Sequence, residues 1–274
     1  MGAARTIDFN ADLGESFGLW QRGADDELMA CISSANVACG FHAGDPGTMR
    51  DAVASAHRNG VTVGAHPGLP DLLGFGRRTM AVSPREAGDY VLYQAGALQA
   101  FARAEGVELH HVKPHGALYM MALDDAGLAR AIAEAVARLG GALPVYTLAG
   151  SEMWQAAQAA GLPAVPEFFA DRPMHSDGSV VMFGWQEHLD ATPETVSERV
   201  RSLVATGSVT SLEGASVPVT ATTVCVHADT PGAGEIGAAV RAAIEAEGVA
   251  VGGEGISPAT AEPQGRVDIA GLGS

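Results

Sequence analysis

The sequence contains almost no lysine, although it is rich in acidic residues. Lys113 is the only lysine among 16 basic residues, which stand against 32 acidic residues and leave a net charge of −16. A chain this acidic, without a basic run, is a poor candidate for binding nucleic acid or an anionic membrane surface. Lys113 follows a valine rather than a glycine-rich loop, so a conventional P-loop for ATP is excluded.

Cysteines and long apolar segments are also scarce. Cys31, Cys39 and Cys225 are widely spaced and form no CxxC motif, which favours a reducing compartment. No apolar run approaches the roughly 18 residues that a membrane span requires. Residues 1–6 lack the apolar segment of a signal peptide. We therefore expect a cytoplasmic protein that acts on a small molecule.

Apolar and β-branched segments alternate with helical ones along most of the 274 residues, giving about seven βα units. The predicted strands cover 6–10, 35–40, 61–65, 108–112, 145–148, 164–169 and 223–227. The predicted helices cover 24–32, 48–58, 84–104, 125–139, 152–160, 193–205 and 234–246. The strands read as apolar on both faces, which is typical of a closed (β/α) barrel or an open doubly wound sheet. We expect one α/β domain over 1–250 and a loosely held tail over 251–274.

Ionisable and hydrogen-bonding residues follow nearly every predicted strand. The carboxyl ends of parallel strands converge on one face of a βα fold, where ligands and catalytic groups lie. We therefore expect one cleft to gather residues that are far apart in sequence. The candidates are Asn10, Asp12, Glu15, His42, Asp45, His66, Lys113, His115, Asp171, Arg172, Asp177, His227 and Asp229.

Several of these residues also have a purely structural interpretation. Asp12 and Glu15 could cap a helix or form an Asx-turn. Asp45 precedes Pro46, so capping of the next helix and a role at the site are equally favoured. Lys113 is the stronger candidate, because it shares a strand end with His115. Strand alternation also places it on the same face as His111. A buried lysine there could stabilise an oxyanion or donate a proton, or it could form a salt bridge only.

The blocks that carry these candidates resemble the LamB/YcsF family, in order, over residues 6–247. The matching blocks are 10–15 (NADLGE), 34–45 (SANVACGFHAGD), 64–67 (GAHP), 112–116 (VKPHG), 169–172 (FADR) and 226–232 (VHADTPG). The resemblance implies a seven-stranded (β/α) barrel of the polysaccharide deacetylase type. It also implies ATP-driven ring opening of 5-oxoproline to glutamate, in a complex with 5-oxoprolinase subunits B and C.

The resemblance further implies roles for the candidate residues. Amide hydrolysis needs a general base, an oxyanion stabiliser and a general acid on the ring nitrogen. Asp12 or His42 would activate water, and Lys113 and Arg172 would hold phosphate or carboxylate. His66, His115 or His227 would transfer protons, and Asp171 and Asp229 would orient them. Asn10, Glu15, Asp45, Arg172 and Asp177 are the predicted substrate-binding residues.

Three features leave alternatives open. Met174 stands where the family pattern has an aromatic residue, and the segment around Phe183 lacks an arginine often found there. Asp12, His42 and His66 could together hold a divalent metal such as zinc, as in deacetylase-type barrels, although the HxxxH spacing of those enzymes is absent. The chain could therefore be a metal-dependent deacetylase or a non-catalytic subunit that presents substrate, and the sequence leaves a homo-oligomer open.

Overall fold

A seven-stranded parallel barrel forms the centre of the computed structural model, which describes residues 5–253. Its strands are β1 (Thr6–Leu13), β2 (Ser34–Ala38), β3 (Thr62–His66), β4 (Leu109–Val112), β5 (Val145–Thr147), β6 (Ala164–Phe169) and β9 (Thr223–His227). They pair in that order, and β9 pairs with both β6 and β1, which closes the barrel. The predicted barrel is therefore confirmed, and the open doubly wound sheet is excluded.

The helices alternate with these strands and cover the barrel. They are α1 (Asp25–Met29), α2 (Pro46–Asn59), α3 (Pro84–Ala104), α4 (Gly116–Asp124), α5 (Ala126–Arg138), α6 (Glu152–Ala159), α7 (Pro193–Thr206) and α8 (Ala233–Ala246). The capping signals in the sequence fix several of their starts. For example, Ser83 and Glu86 form a reciprocal capping box before α3, and Pro84 takes its first position.

One α-helix and three short strands were not predicted from the sequence. Helix α4 buries most of its residues, so it lacks the one-sided apolar stripe that reveals a surface helix. The strands β7 (Ser208–Thr210) and β8 (Ser216–Pro218) form an antiparallel hairpin that is too short to produce a clear alternation. A third short strand, β10 (Ala250–Val251), pairs with β1. The predicted tail from residue 254 onward lies outside the described residues.

The prediction that the strands are apolar on both faces is wrong. In β1 the apolar Phe9 and Ala11 alternate with Asp8, Asn10 and Asp12. All five of these side chains are buried, so the barrel encloses polar groups within an apolar outer layer. The buried polar residues of the barrel strands include Asp8, Asn10, Asp12, Ser34, Asn36, His111, Glu167 and Thr223. Among residues 5–253, none of the helices combines the length and apolar character needed to cross a membrane.

Candidate active site

The carboxyl ends of the strands bring together most of the predicted site residues. The register pairs Asp12 with His227 across β1 and β9, and Ala38 with His66 across β2 and β3. A cavity of about 20 Å³ lies at this end and is lined by Asp12, His66, Arg77, Lys113, Pro114, His115, Gly116, Tyr119, Phe169, Arg172, Met182, Phe183 and His227. A volume of this size can hold about one water molecule.

Lys113 lies at the centre of this region and is buried. Its Nζ is 3.0 Å from Asp12 Oδ1, 3.1 Å from Glu167 Oε2 and 3.0 Å from Cys225 Sγ. Burial would lower the pKa of Lys113, but Asp12, the Cys225 thiol and Glu167 together raise it well above 10.5. The lysine is therefore a fixed cation rather than a proton donor near neutral pH. His111 and Lys113 are both buried, in agreement with the prediction that they share one face of the chain.

Asp12 connects Lys113 to two histidines. Its Oδ1 accepts hydrogen bonds from Lys113 and from Asn36 Nδ2 at 2.8 Å, while Oδ2 is 3.3 Å from His66 Nε2 and 3.8 Å from His227 Nε2. Burial would raise the pKa of Asp12, but His66 and Lys113 hold it well below its usual value. Asp12 is therefore an anion with little capacity to act as a general base.

His227 has the geometry of an oriented base. Its Nδ1 is 2.9 Å from Asp171 Oδ1, and its backbone N–H donates to Asp171 Oδ2 at 3.0 Å. Asp171 also accepts from Thr230 Oγ1 at 2.6 Å and pairs with Arg172 at 2.9 Å. Burial would raise the pKa of Asp171, but Arg172 and His227 hold it far below its usual value. The ionised carboxylate keeps the proton on His227 Nδ1 and leaves Nε2 as the acceptor facing Asp12.

Arg172 is the second buried cation at the cavity. Its guanidinium lies 4.4 Å from the centre of the Trp185 ring, and NH1 donates to Thr230 Oγ1 at 3.2 Å. Its Nε is buried and has no hydrogen-bond partner within the described chain. An unpaired donor of this kind is costly unless a ligand supplies an acceptor. Arg172 is therefore able to bind a carboxylate.

A histidine cluster lies beside this group. The His66 and His115 rings are linked by a 2.9 Å contact between His66 Nε2 and His115 Nδ1. The His42 ring stacks on His115, with centroids 3.6 Å apart and planes 4° apart. Glu15 Oε1 is 3.5 Å from His42 Nε2 and 3.8 Å from His115 Nδ1. Burial and the neighbouring His66 lower the pKa of His42 well below 6.5, whereas burial and the nearby Asp12 raise that of Glu15 well above 4.5.

Of the predicted metal ligands Asp12, His42 and His66, only the two histidines fall in the same group of possible ligands. Ligand atoms of Glu15, His42, His66 and His115 lie within 4.8 Å of one another, and a second such group contains Asp12, Cys225 and His227. Asp12 is engaged by Lys113 and Asn36, so the first group fits a cation better than the predicted set does.

Three predicted residues do not line the cavity. Asp45 accepts hydrogen bonds from Gly47 N and Thr48 N, so it caps α2. Asp177 is exposed in a turn, where it accepts from Ser179 N. Asn10 is buried within the barrel, where it hydrogen-bonds Thr223 and Asn36 and accepts from Lys113 Nζ at 3.3 Å. Each of these three side chains has hydrogen-bond partners within the protein, and its substrate-binding role stays a prediction.

Asp229 lies among three arginines. Its carboxylate is 3.1 Å from Arg22, 2.7 Å from Arg77 and 3.8 Å from Arg172. Burial would raise the pKa of Asp229, but Arg77 and His227 lower it. Asp229 therefore holds arginines around the cavity mouth, and its hydrogen bonds do not orient His227 as predicted.

Several residues of the site were missed at the sequence level. Glu167 and Cys225 contact Lys113, and Asn36 joins Asn10 to Asp12. For Asn36 and Cys225 the signal was the presence of polar residues at every second position of otherwise apolar strands, as in Thr223, Cys225 and His227, whereas Glu167 is the only polar residue of its strand. Arg77 and Phe75, from the loop after β3, carry no such periodic signal.

Comparison with known proteins agrees with this architecture. The model of the LamB/YcsF family matches residues 7–256. A protein from Tolumonas auensis, named as the A subunit of 5-oxoprolinase, is 49% identical over 245 residues, covering 89% of this chain and 98% of that protein. The protein of the same name from Pyrococcus furiosus is also 49% identical, covering 89% and 96%. The crystal structure of the lactam utilization protein from Thermus thermophilus has a TM-score of 0.85 and 47% identity, covering 90% of this chain and 99% of that one. The chain belongs to the LamB/YcsF family.

Proposed function

We propose that this chain is the A subunit of an ATP-dependent 5-oxoprolinase, which opens the lactam ring of 5-oxo-L-proline to give L-glutamate. The observation that carries the proposal is that one cavity places Lys113 and Arg172 beside His227, which Asp171 orients. Relatives named as the A subunit of 5-oxoprolinase support the same assignment. In the proposed reaction one water opens the ring, and a second is consumed as ATP becomes ADP and phosphate.

The proposed chemistry follows from the charges around the cavity. When water attacks the lactam carbon, negative charge lies on the former carbonyl oxygen or on the phosphoryl group that this oxygen carries, and Lys113 is placed to stabilise that charge as a fixed cation. His227 Nε2 accepts the proton from the attacking water and returns it to the ring nitrogen when the C–N bond breaks. The Nε of Arg172 binds the carboxylate of 5-oxoproline. Asp12 anchors Lys113 and faces the protonated His227.

ATP chemistry is assigned to the assembled complex. A lactam is an unreactive amide, so phosphorylation of its oxygen would make the carbonyl carbon a better electrophile. The chain has no P-loop, which supports a role for companion subunits B and C in binding ATP. The cavity of about 20 Å³ is too small for 5-oxoproline, so it must widen to admit this substrate.

The proposal is tested by co-expressing the chain with companion subunits B and C from the same genome. We expect glutamate release that requires both 5-oxoproline and ATP and that disappears when this chain is omitted. A verified complex without such activity would refute the proposal. The histidine cluster also favours a second candidate, a metal-dependent deacetylase, which instead predicts chelator-sensitive activity of the isolated chain without ATP.

A further inference from the structure

The hydrogen bonds of the histidine cluster fix where its protons lie. His66 Nδ1 is 2.7 Å from the Lys113 carbonyl oxygen, and His115 Nε2 is 2.8 Å from the Phe75 carbonyl oxygen. A carbonyl oxygen only accepts, so both of these nitrogens carry hydrogen. In the neutral rings the other two nitrogens then present lone pairs. Those two, His66 Nε2 and His115 Nδ1, face each other at 2.9 Å.

The neighbouring side chains point further unpaired groups at the same place. Both ring nitrogens of His42 are buried and lack a hydrogen-bond partner within the described chain. Glu15 Oε1 is likewise buried and unpaired there. A proton shared between His66 and His115 would satisfy that pair, but it would leave His42 and Glu15 unsatisfied. Unpaired buried polar groups destabilise a fold unless a ligand completes them.

We infer that Glu15, His42, His66 and His115 form a binding site for one divalent transition-metal ion of the zinc type. Tetrahedral zinc with bonds of about 2.0–2.1 Å separates its ligand atoms by about 3.3 Å. The relevant separations are 2.9 Å, 3.5 Å and 3.8 Å, so small side-chain shifts are sufficient. Three imidazole nitrogens and one carboxylate suit Zn²⁺ or Co²⁺ better than Mg²⁺ or Ca²⁺, which prefer oxygen ligands.

The surroundings are built to hold these rings. A Cβ at Gly68 would lie 2.5 Å from His42 Nδ1, and one at Gly76 would lie 2.6 Å from His42 Cβ. Only glycine at both positions leaves the space that the His42 ring occupies. Phe75 has a φ of 56°, and in this strained conformation it presents its carbonyl to His115. Hydrogen bonds of this kind to the outer nitrogens orient metal-binding histidines.

The inference concerns binding by the isolated chain and does not depend on the proposed function. The test uses chelator-treated protein titrated with Zn²⁺ or Co²⁺ in a calorimeter, together with the visible spectrum of the Co²⁺ form. We expect one ion per chain and the intense absorption of four-coordinate Co²⁺. We also expect Zn²⁺ to raise the melting temperature, because it binds only the folded chain.

Variants locate the ion. His42→Ala and Glu15→Gln should each weaken Zn²⁺ binding by about a hundredfold or more and abolish the rise in melting temperature, since a lost ligand exceeds the roughly 10–100-fold effect of an outer contact. His57→Ala, which removes an exposed histidine of α2, is the matched control and should bind as the original chain does. Glu15→Gln is nearly isosteric, so it keeps the test valid if His42→Ala does not fold. Absence of stoichiometric binding by the original chain, or equal binding by all variants, would overturn the inference.

Discussion

The two ends of the barrel interior are both polar, but they satisfy their polar atoms differently. At the amino end, Asp8 Oδ1 accepts from Ser33 Oγ at 2.7 Å and Ser34 Oγ at 2.6 Å. Its Oδ2 accepts from Tyr146 OH at 3.0 Å and Thr223 Oγ1 at 2.6 Å. At the carboxyl end, Glu15 Oε1, both His42 ring nitrogens and Arg172 Nε have no such partner within the described chain.

Buried side chains with all their hydrogen bonds made within the protein stabilise the barrel, whereas buried side chains with unpaired polar atoms are suited to bind a ligand. A buried carboxylate with four hydroxyl donors is complete, and it holds β1, β2, β5 and β9 together. Unpaired groups near Lys113 and His227 reduce stability unless substrate or an ion pairs with them. We therefore expect changes at the carboxyl end to reduce activity, and changes at the amino end to reduce stability.

The largest effect is expected for Lys113→Met. Loss of the fixed cation should lower the turnover of the assembled complex by about 10²–10³-fold, as for other lost oxyanion contacts. It also leaves Asp12 and Glu167 without their shared partner, which should lower the free energy of unfolding by about 3 kcal/mol. Glutamate release per folded complex separates the two effects. Turnover at the original rate would instead support a non-catalytic subunit that presents substrate.

Asp171→Asn tests the oriented base at His227. The amide can donate to His227 Nδ1, which would move the ring proton to Nε2 and remove the acceptor from the cavity. Turnover should fall by about 10²-fold, the lower end of the usual contribution of a general base, with a smaller change in KM. His175→Gln is the matched control, because His175 forms a similar pair with Glu213 at 2.7 Å on the surface. A similar loss of turnover in both variants would contradict the assignment.

The interactions of Asp171 with Arg172 and His227 should also make the free energy of unfolding depend on pH in the acidic range. The pKa of Asp171 is lowered in the folded chain, chiefly by Arg172 and His227 acting against burial. Its stabilising contribution is therefore present above the unfolded pKa of about 3.9 and is lost as pH falls below it. The difference in unfolding free energy between the original chain and Asp171→Asn should shrink as pH falls below about 4. A difference that grows on acidification would contradict the lowered pKa.

Asp8→Ala tests the other end of the barrel. Removal of the carboxylate leaves four hydroxyl groups without their acceptor, and the free energy of unfolding should fall by about 3 kcal/mol. Urea unfolding measures this change. Activity per folded complex should remain within about twofold, because Asp8 lies away from the cavity-lining residues. A complete loss of turnover in folded Asp8→Ala would show that the two ends are not functionally separate.

The sequence pattern was sufficient for the seven βα units because its evidence is local and repeated, whereas the choice of a closed barrel over an open sheet came from the resemblance to the LamB/YcsF family. Apolar β segments, capping residues such as Ser83 and the order of the βα units each point to the same fold. Helix α4 escaped prediction because a helix buried on most sides has no periodic polar face. The strand ends also indicated the convergence of Asp12, Lys113 and His227.

The detailed pairing within the site could not be predicted, because it depends on register and on loops. For example, Glu167 contacts Lys113 because its position on β6 places it across the barrel interior from the lysine. The position of His42 depends on the loop after β3, where Gly68 and Gly76 leave room for its ring. Neither of these contacts can be predicted from the spacing of residues along the chain.

The smallest effect is expected for substitutions of Asp45. They test a residue whose role the sequence alone could not decide. Its sequence context favoured capping and a role at the site equally, and in the structure its carboxylate accepts from Gly47 N, Thr48 N and Gly18 N. Asp45→Ala should therefore cost about 1 kcal/mol of stability, as for other lost helix caps, and leave kcat and KM unchanged. Asp45→Ser should restore much of the loss, since serine also caps helices well. A rise in KM for 5-oxoproline in either variant would return Asp45 to the substrate site, because a cap alone cannot change substrate affinity in a folded barrel.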